Sequence, residues 1–95
     1  MGKDNYIFKD LILDLLSGRE IEFNFKKSEY SITNYIDKSG EDYWQFNNST
    51  KRKNIIICKK SQNAILINFV ENFSIEDIGL KDIFNNKIYT NLYVL

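Results

Sequence analysis

The sequence predicts an α+β fold: an N-terminal helix, an antiparallel sheet of three to five strands and C-terminal helices, forming one domain over residues 1–95. Alternating apolar and polar residues, typical of strands, are concentrated between positions 19 and 58. Apolar residues at three- and four-residue spacing, typical of helices, lie on both sides of that region. Because the strands are grouped together, we expect the C-terminal helices to pack on one face of the sheet.

The first element is predicted to be a helix that follows Asp4 or Asn5, either of which can cap its first turn. Gly18 is expected to end this helix, because glycine readily takes the left-handed conformation found at helix ends. The apolar stripe of the helix consists of Phe8, Leu11, Ile12, Leu15 and Leu16.

A β-hairpin is predicted next, because residues 19–25 alternate strictly between polar and apolar side chains. Residues 26–29 are expected to form its turn and residues 30–36 its second strand. One face of the hairpin is then apolar and the other polar. The expected cross-strand neighbours are Phe25 with Tyr30, Phe23 with Ile32, Glu22 with Thr33, and Asn24 with Ser31.

Two further strands are predicted at residues 42–46 and 55–58, with Trp44 and Phe46 facing the core. The polar segment 47–54 between them is interpreted as a loop or frayed hairpin. The later elements are predicted as a helix capped by Ser61, a connector over 74–78, one or two helical turns from Leu80 that end at Asn85-Asn86, and a last strand or docked tail over 88–95.

The polar face of the sheet is the predicted partner-binding surface, together with the 47–54 loop. Tyrosine is enriched at protein interfaces, because one ring supplies a large contact area at low entropic cost. The candidate partner-binding residues are Glu20, Glu22, Asn24, Thr33, Tyr35 and Tyr43.

No catalytic residue, metal site or cofactor is predicted. The chain contains no histidine, which removes the commonest general base and metal ligand, and its one cysteine cannot form the usual zinc site. The four glycines stand apart and form no phosphate-binding loop. The sequence therefore favours a binding protein over an enzyme.

The chain carries 13 basic and 13 acidic residues, a balance that argues against a nucleic-acid-binding protein and against a mimic of nucleic acid. A small nucleic-acid-binding regulator remains an alternative, because the basic residues concentrate near Trp44 and Tyr43. Its candidate contacts are Lys51, Arg52, Lys53, Lys59 and Lys60. A second alternative is a sponge for a small ligand, held in an aromatic pocket.

The expected location is the cytoplasm. The N-terminus has no apolar segment of a signal peptide, no apolar run is long enough to span a membrane, and Cys58 has no partner for a disulfide. A homodimer formed through the C-terminal tail is a further expectation, since Tyr93 and Leu95 belong to an apolar segment that either completes the core or associates with a copy.

Four strings carry a resemblance: residues 15–23 (LLSGREIEF), residues 30–35 (YSITNY), Trp44-x-Phe46 and residues 78–84 (IGLKDIF). They are similar to small proteins encoded by phages and mobile elements of low-GC Gram-positive bacteria. Such genes often encode inhibitors of host proteins, including anti-CRISPR and other anti-defence factors. The resemblance implies a bacterial host protein as the partner.

Overall fold

The structure, a computed structural model, describes residues 5–95 and confirms the α+β fold. Its elements are α1 (Phe8–Leu16), β1 (Ile21–Phe25), β2 (Ser28–Ile36), β3 (Asp42–Asn48), β4 (Lys53–Lys59), α2 (Asn63–Asn72), β5 (Ser74–Ile75), β6 (Ile78–Gly79), α3 (Leu80–Asn85) and β7 (Thr90–Val94). Within the described chain, no helix combines the length and the apolar character needed to cross a bilayer.

Five strands form one antiparallel sheet in the order β4-β3-β2-β1-β7. The predicted strand at the C-terminal end is therefore present, and it pairs with β1 near the other end of the chain. Strands β4 and β7 are the two edges of the sheet. The helices cover the face on which Phe23, Trp44 and Phe46 are buried, as their alternation predicts.

Phe84 of α3 lies at the centre of the aromatic core and is fully buried. Its ring packs edge-on against Phe23 of β1, with 5.0 Å between the ring centroids, and stacks on Tyr89 at 4.9 Å. Tyr6 contacts the same ring from the segment before α1, at 6.1 Å. This ring cluster joins the helical layer to the sheet.

The predicted register of the first hairpin is wrong by two residues. The turn consists of Lys26 and Lys27, both with positive φ (48° and 67°), so β2 already begins at Ser28. A two-residue loop with two left-handed residues is the type I′ turn, which matches the twist of a hairpin. The observed neighbours are Phe25 with Ser28, Phe23 with Tyr30, Ile21 with Ile32, Glu22 with Ser31, and Asn24 with Glu29.

Both predicted helix caps are corrected by the structure. Helix α1 begins at Phe8 after Ile7, and Asp10 supplies the cap by accepting a 3.0 Å hydrogen bond from the Ile7 backbone amide. Asn5 therefore lies outside the helix, and Asp4 lies outside the described residues. Helix α2 follows Gln62 and not Ser61.

Two segments contain more paired strand than the sequence predicts. The 47–54 segment, interpreted as a loop or frayed hairpin, is a hairpin whose loop is limited to residues 49–52, because β3 continues to Asn48 and β4 begins at Lys53. The predicted 74–78 connector is a miniature hairpin of β5 and β6. Its turn residues Glu76 and Asp77 again have positive φ (50° and 68°).

Candidate binding surface on the open sheet face

The face of the sheet opposite the helices, called here the open face, carries polar side chains in rows across the strands. One row runs through Tyr93, Glu22, Ser31, Asn47 and Asn54, in consecutive register from β7 to β4. Side chains directly opposite each other on neighbouring strands are in contact distance. The row therefore forms a continuous polar strip over all five strands.

A tyrosine pair lies on the same face, toward the turn between β2 and β3. Tyr35 and Tyr43 are direct neighbours on the two strands, with 6.4 Å between their ring centroids. Lys59 of β4 is the neighbour of Tyr43 on its other side. Between this pair and the polar strip lie Thr33 and Gln45. The open face thus combines aromatic area with hydrogen-bonding groups.

Asn47 organises the middle of the open face. Its side-chain amide donates 2.9 Å hydrogen bonds to the hydroxyls of Ser31 and Thr33 on the adjacent strand. The Asn47 side chain is almost wholly buried, with 8% of its surface exposed, and its Oδ1 atom has no hydrogen-bond partner within residues 5–95. Since such bonds fix rotamers, this part of the surface is preorganised.

A hollow of about 360 Å³ opens on this face between β7 and the end of the first hairpin. We call it the Glu22–Glu29 hollow, after the two carboxylates that line it. Among residues 5–95, no basic side chain lines it. A bulge in β7 beside β1, where Asn91 has a φ of 49°, shapes one wall. The remaining polar lining comes from Asn24, Ser31, Ser49, Asn91 and Tyr93.

The structure brings most of the predicted partner-binding residues onto one surface. Glu22 and Asn24 line the hollow, whereas Thr33, Tyr35 and Tyr43 lie beyond it on the same face. The Glu20 carboxylate instead accepts a 2.8 Å hydrogen bond from the Asn34 backbone amide. Glu29, Asn47, Asn91 and Tyr93 were not among the candidates. Glu29 and Asn47 fell in the segments predicted as a turn and as a loop or frayed hairpin, and the positions of Asn91 and Tyr93 depend on the pairing of β7 with β1.

Tyr43 and Asp37, near one end of the open face, have pKa values that their surroundings displace in opposite directions. Partial removal from solvent raises the pKa of Tyr43, and the negative charge of Asp37 raises it further. In contrast, the hydroxyl of Ser39 and the backbone amide of Glu41 hydrogen-bond the Asp37 carboxylate and lower its pKa. Since the ordinary tyrosine pKa of 10.0 already lies above neutral pH, the Tyr43 hydroxyl can donate a hydrogen bond there with or without this rise.

The five basic candidates divide into two groups at opposite ends of β4. Lys51, Arg52 and Lys53 lie at the turn between β3 and β4, whereas Lys59 and Lys60 lie about 20 Å away along the strand. The Lys60 side chain is 3.9 Å from Asp42. The predicted aromatic neighbour Trp44 is 1% exposed, so its ring is not available for base stacking.

Cys58 is buried at 7% exposure, and this burial raises the pKa of its thiol. Its sulfur lies 3.6 Å from the Gln62 backbone carbonyl oxygen. Across residues 5–95, no three acidic or cysteine side chains converge as metal ligands.

Comparison with known proteins yields no relative of this chain. No protein-family model matches it, and no curated protein and no solved structure is significantly similar to it.

Proposed function

We propose that this chain is a non-enzymatic protein-binding module that contacts its partner through the open face. The observation that carries this proposal is the one-sided packing of the sheet, in which the helices leave one broad face uncovered within the described chain. A solvated sheet face is common in antiparallel sheets. Three tyrosines on that face, Tyr35, Tyr43 and Tyr93, give it the aromatic area that interfaces favour.

The charge of the surface indicates the chemistry of the partner. Glu22 and Glu29 line the same hollow, and neither forms an ion pair with another residue of the described chain. A lysine or arginine side chain of the partner would neutralise them on entering the hollow, because oppositely charged patches steer association and fix register. The partner is therefore expected to present a basic surface.

The narrower identity of the partner is proposed from the resemblance to phage proteins. A bacterial defence or regulatory protein that handles nucleic acid carries a basic surface for phosphate groups. The chain has no overall acidic excess, so it would compete for such a surface only locally, through the two carboxylates of the hollow. We therefore propose that this chain inhibits a host protein of this kind. One molecule of the chain would cover the basic surface of the host protein with its open face.

The test is co-purification from a lysate of a low-GC Gram-positive bacterium, with matched charge reversals. Glu22→Lys changes the hollow, and Glu71→Lys makes the same exchange at an exposed position of α2. Tyr35→Ala removes an exposed ring from the tyrosine pair. We expect one host protein to be retained by the wild-type chain and the Glu71→Lys variant, and lost with Glu22→Lys and Tyr35→Ala.

Nuclease digestion separates this proposal from the nucleic-acid alternative. A host protein bound through the tyrosines and the hollow should remain bound after nuclease has removed nucleic acid from the beads. Recovery of nucleic acid alone, with release that rises steeply with salt and depends on Lys51, Arg52 and Lys53, would contradict the proposal. Equal retention of the host protein by all four chains would also contradict it.

A further inference from the structure

Strand β4 has a free edge, and its exposed apolar residues stand between two groups of basic residues. Within the described sheet it pairs only with β3, so its other backbone edge has no strand neighbour. Ile55 and Ile56 are 44% and 50% exposed on this edge strand. Basic residues stand on both sides of them, at 51–53 and 59–60.

The backbone hydrogen-bonding groups at the Lys59 end of this edge are already occupied. The Lys59 backbone amide donates to Gln62 Oε1 at 2.9 Å, and the Lys59 carbonyl oxygen accepts from the Gln62 amide at 2.9 Å. These bonds occupy the groups with which Lys59 would pair to another strand. An incoming strand can therefore pair only over residues 53–57.

A second hollow lies beside the open part of this edge, on the core side of the sheet. It has a volume of about 230 Å³, and we call it the β4 hollow. Its apolar lining consists of Tyr30, Phe46, Ile55, Phe73 and Ile75. The segment that follows α2, from Phe73 to Glu76, borders it. Phe73 packs on Phe46 there, with 4.7 Å between the ring centroids.

The rim of the β4 hollow is basic. Lys51 and Lys53 line it, and neither forms an ion pair with another residue between 5 and 95. The acidic rim residue Glu76 is paired with Lys26, whose Nζ lies 3.9 Å from Glu76 Oε1. The unpaired charge at this hollow is therefore positive.

These charges disfavour a second copy of the chain as the strand that pairs with β4. Antiparallel pairing over residues 53–57 would bring the 51–53 end of one copy to the 59–60 end of the other. Parallel pairing would bring each basic end against itself. Both arrangements oppose like charges across neighbouring strands, which is destabilising and protects edges from self-association.

We propose that β4 binds an extended, acidic segment of a partner protein by strand addition. The backbone of that segment would pair with residues 53–57, one apolar side chain would enter the β4 hollow beside Ile55, and its carboxylates would contact Lys51 and Lys53. Main-chain pairing supplies affinity in this mode, and the hollow with its basic rim supplies selectivity. This surface is separate from the open face, so its test does not depend on the function proposed above.

The experiment uses the full chain and a synthetic peptide with blocked ends. The peptide alternates valine and threonine over five residues and has two aspartates at each end. Its control has the same centre and lysines in place of the aspartates. Isothermal titration measures affinity, and amide chemical shifts locate the site. We expect the acidic peptide to bind, to perturb the amides of residues 53–57 and those around Phe73 and Ile75, and to leave β7 unchanged.

Charge reversal provides the matched variants. Lys51→Glu with Lys53→Glu should weaken the acidic peptide about tenfold or more, while Lys9→Glu with Lys81→Glu, on α1 and α3, should change its affinity by less than about twofold. The inference is overturned if the acidic peptide fails to bind, if it binds both double variants equally, or if its shifts map to β7. Concentration-dependent dimerisation through β4, seen by sedimentation, would overturn it as well.

Discussion

The backbone amide of Phe8 donates a 3.0 Å hydrogen bond to Oδ1 of Asn85, a residue 77 positions later in the chain. This bond joins the first residue of α1 to the last residue of α3. The first-turn amides of a helix have no partner inside the helix. Asn85 therefore acts as a cap supplied by another element, and it fixes how α1 and α3 meet.

Asn85→Ala should lower the free energy of unfolding by about 1 kcal/mol, because the Phe8 amide loses its acceptor. Urea denaturation followed by circular dichroism measures the change. Asn86→Ala is the matched control, since the Asn86 side chain makes no hydrogen bond to another described residue. An equal decrease in the free energy of unfolding of the two variants would show that the hydrogen bond from Phe8 to Asn85 does not contribute to stability.

Phe84→Ala should destabilise the protein by about 3–5 kcal/mol, because it leaves a cavity where the rings of Phe23 and Tyr89 meet. Thermal unfolding and urea denaturation both report the loss. Leu16→Ala removes an exposed side chain from α1 and should change stability by less than about 0.5 kcal/mol. A small effect of Phe84→Ala would mean that the ring cluster does not hold the helices on the sheet.

Lys27→Gly should stabilise the protein by about 0.5 kcal/mol. Lys27 has a φ of 67°, and relief of this left-handed strain should exceed the added flexibility of the unfolded chain. The same exchange at Lys38, a turn residue without positive φ, should destabilise the protein by a similar amount. Opposite signs in urea denaturation are the expected result, and equal losses would contradict the role of backbone strain.

Acid should destabilise the fold partly through Asp37, whose pKa is lowered first by the hydroxyl of Ser39 and then by the Glu41 amide. A lowered pKa stabilises the folded state above the ordinary value of 3.8, and this contribution is lost as the pH falls through the lower folded value. Asp37→Asn should therefore make stability less dependent on pH below about pH 4.

The measurement is urea denaturation at several pH values, and the slope against pH is the readout. Asp77→Asn serves as the control, because the Asp77 carboxylate accepts no hydrogen bond from another residue of the described chain. If the stability of the wild-type and Asp37→Asn proteins changed with pH by the same slope, Asp37 would not contribute to the acid destabilisation.

Cys58 should react slowly with a thiol reagent in the folded state, at least about tenfold more slowly than an exposed thiol. Its burial restricts access, and its raised pKa reduces the thiolate fraction at a given pH. The comparison is a Cys58→Ser chain that carries Lys9→Cys on the exposed side of α1. Denaturing urea should equalise the two rates, and equal rates without urea would contradict the burial of the thiol.

Strand alternation was sufficient to identify the open face from the sequence, even though the predicted register was wrong. The error in the first hairpin was two residues, and side chains alternate with a period of two, so every residue kept its face. The turn was predicted in the right place but with four residues instead of two, because Lys26 and Lys27 occupy positions at which Asn-Gly is the usual signal.

The two hollows could not be predicted, because each depends on contacts between distant segments. The Glu22–Glu29 hollow needs the pairing of β7 with β1, and the β4 hollow needs Phe73 and Ile75 to lie beside Phe46. Local periodicity contains no information about either contact. It also did not show that α2 is followed by a miniature hairpin, because the turn positions with positive φ are occupied by Glu76 and Asp77 and not by glycine.

The pairing of β1 with β7 has a consequence for synthesis on the ribosome. Strand β1 can form its hairpin with β2 early, but its other neighbour is translated only after all the remaining elements. Until then the nascent chain exposes the edge of β1, where Ile21 and Phe23 have no cover from Leu92 and Val94. Slow translation over the final strand should therefore lengthen the interval during which the emerging chain is vulnerable to proteases and to aggregation.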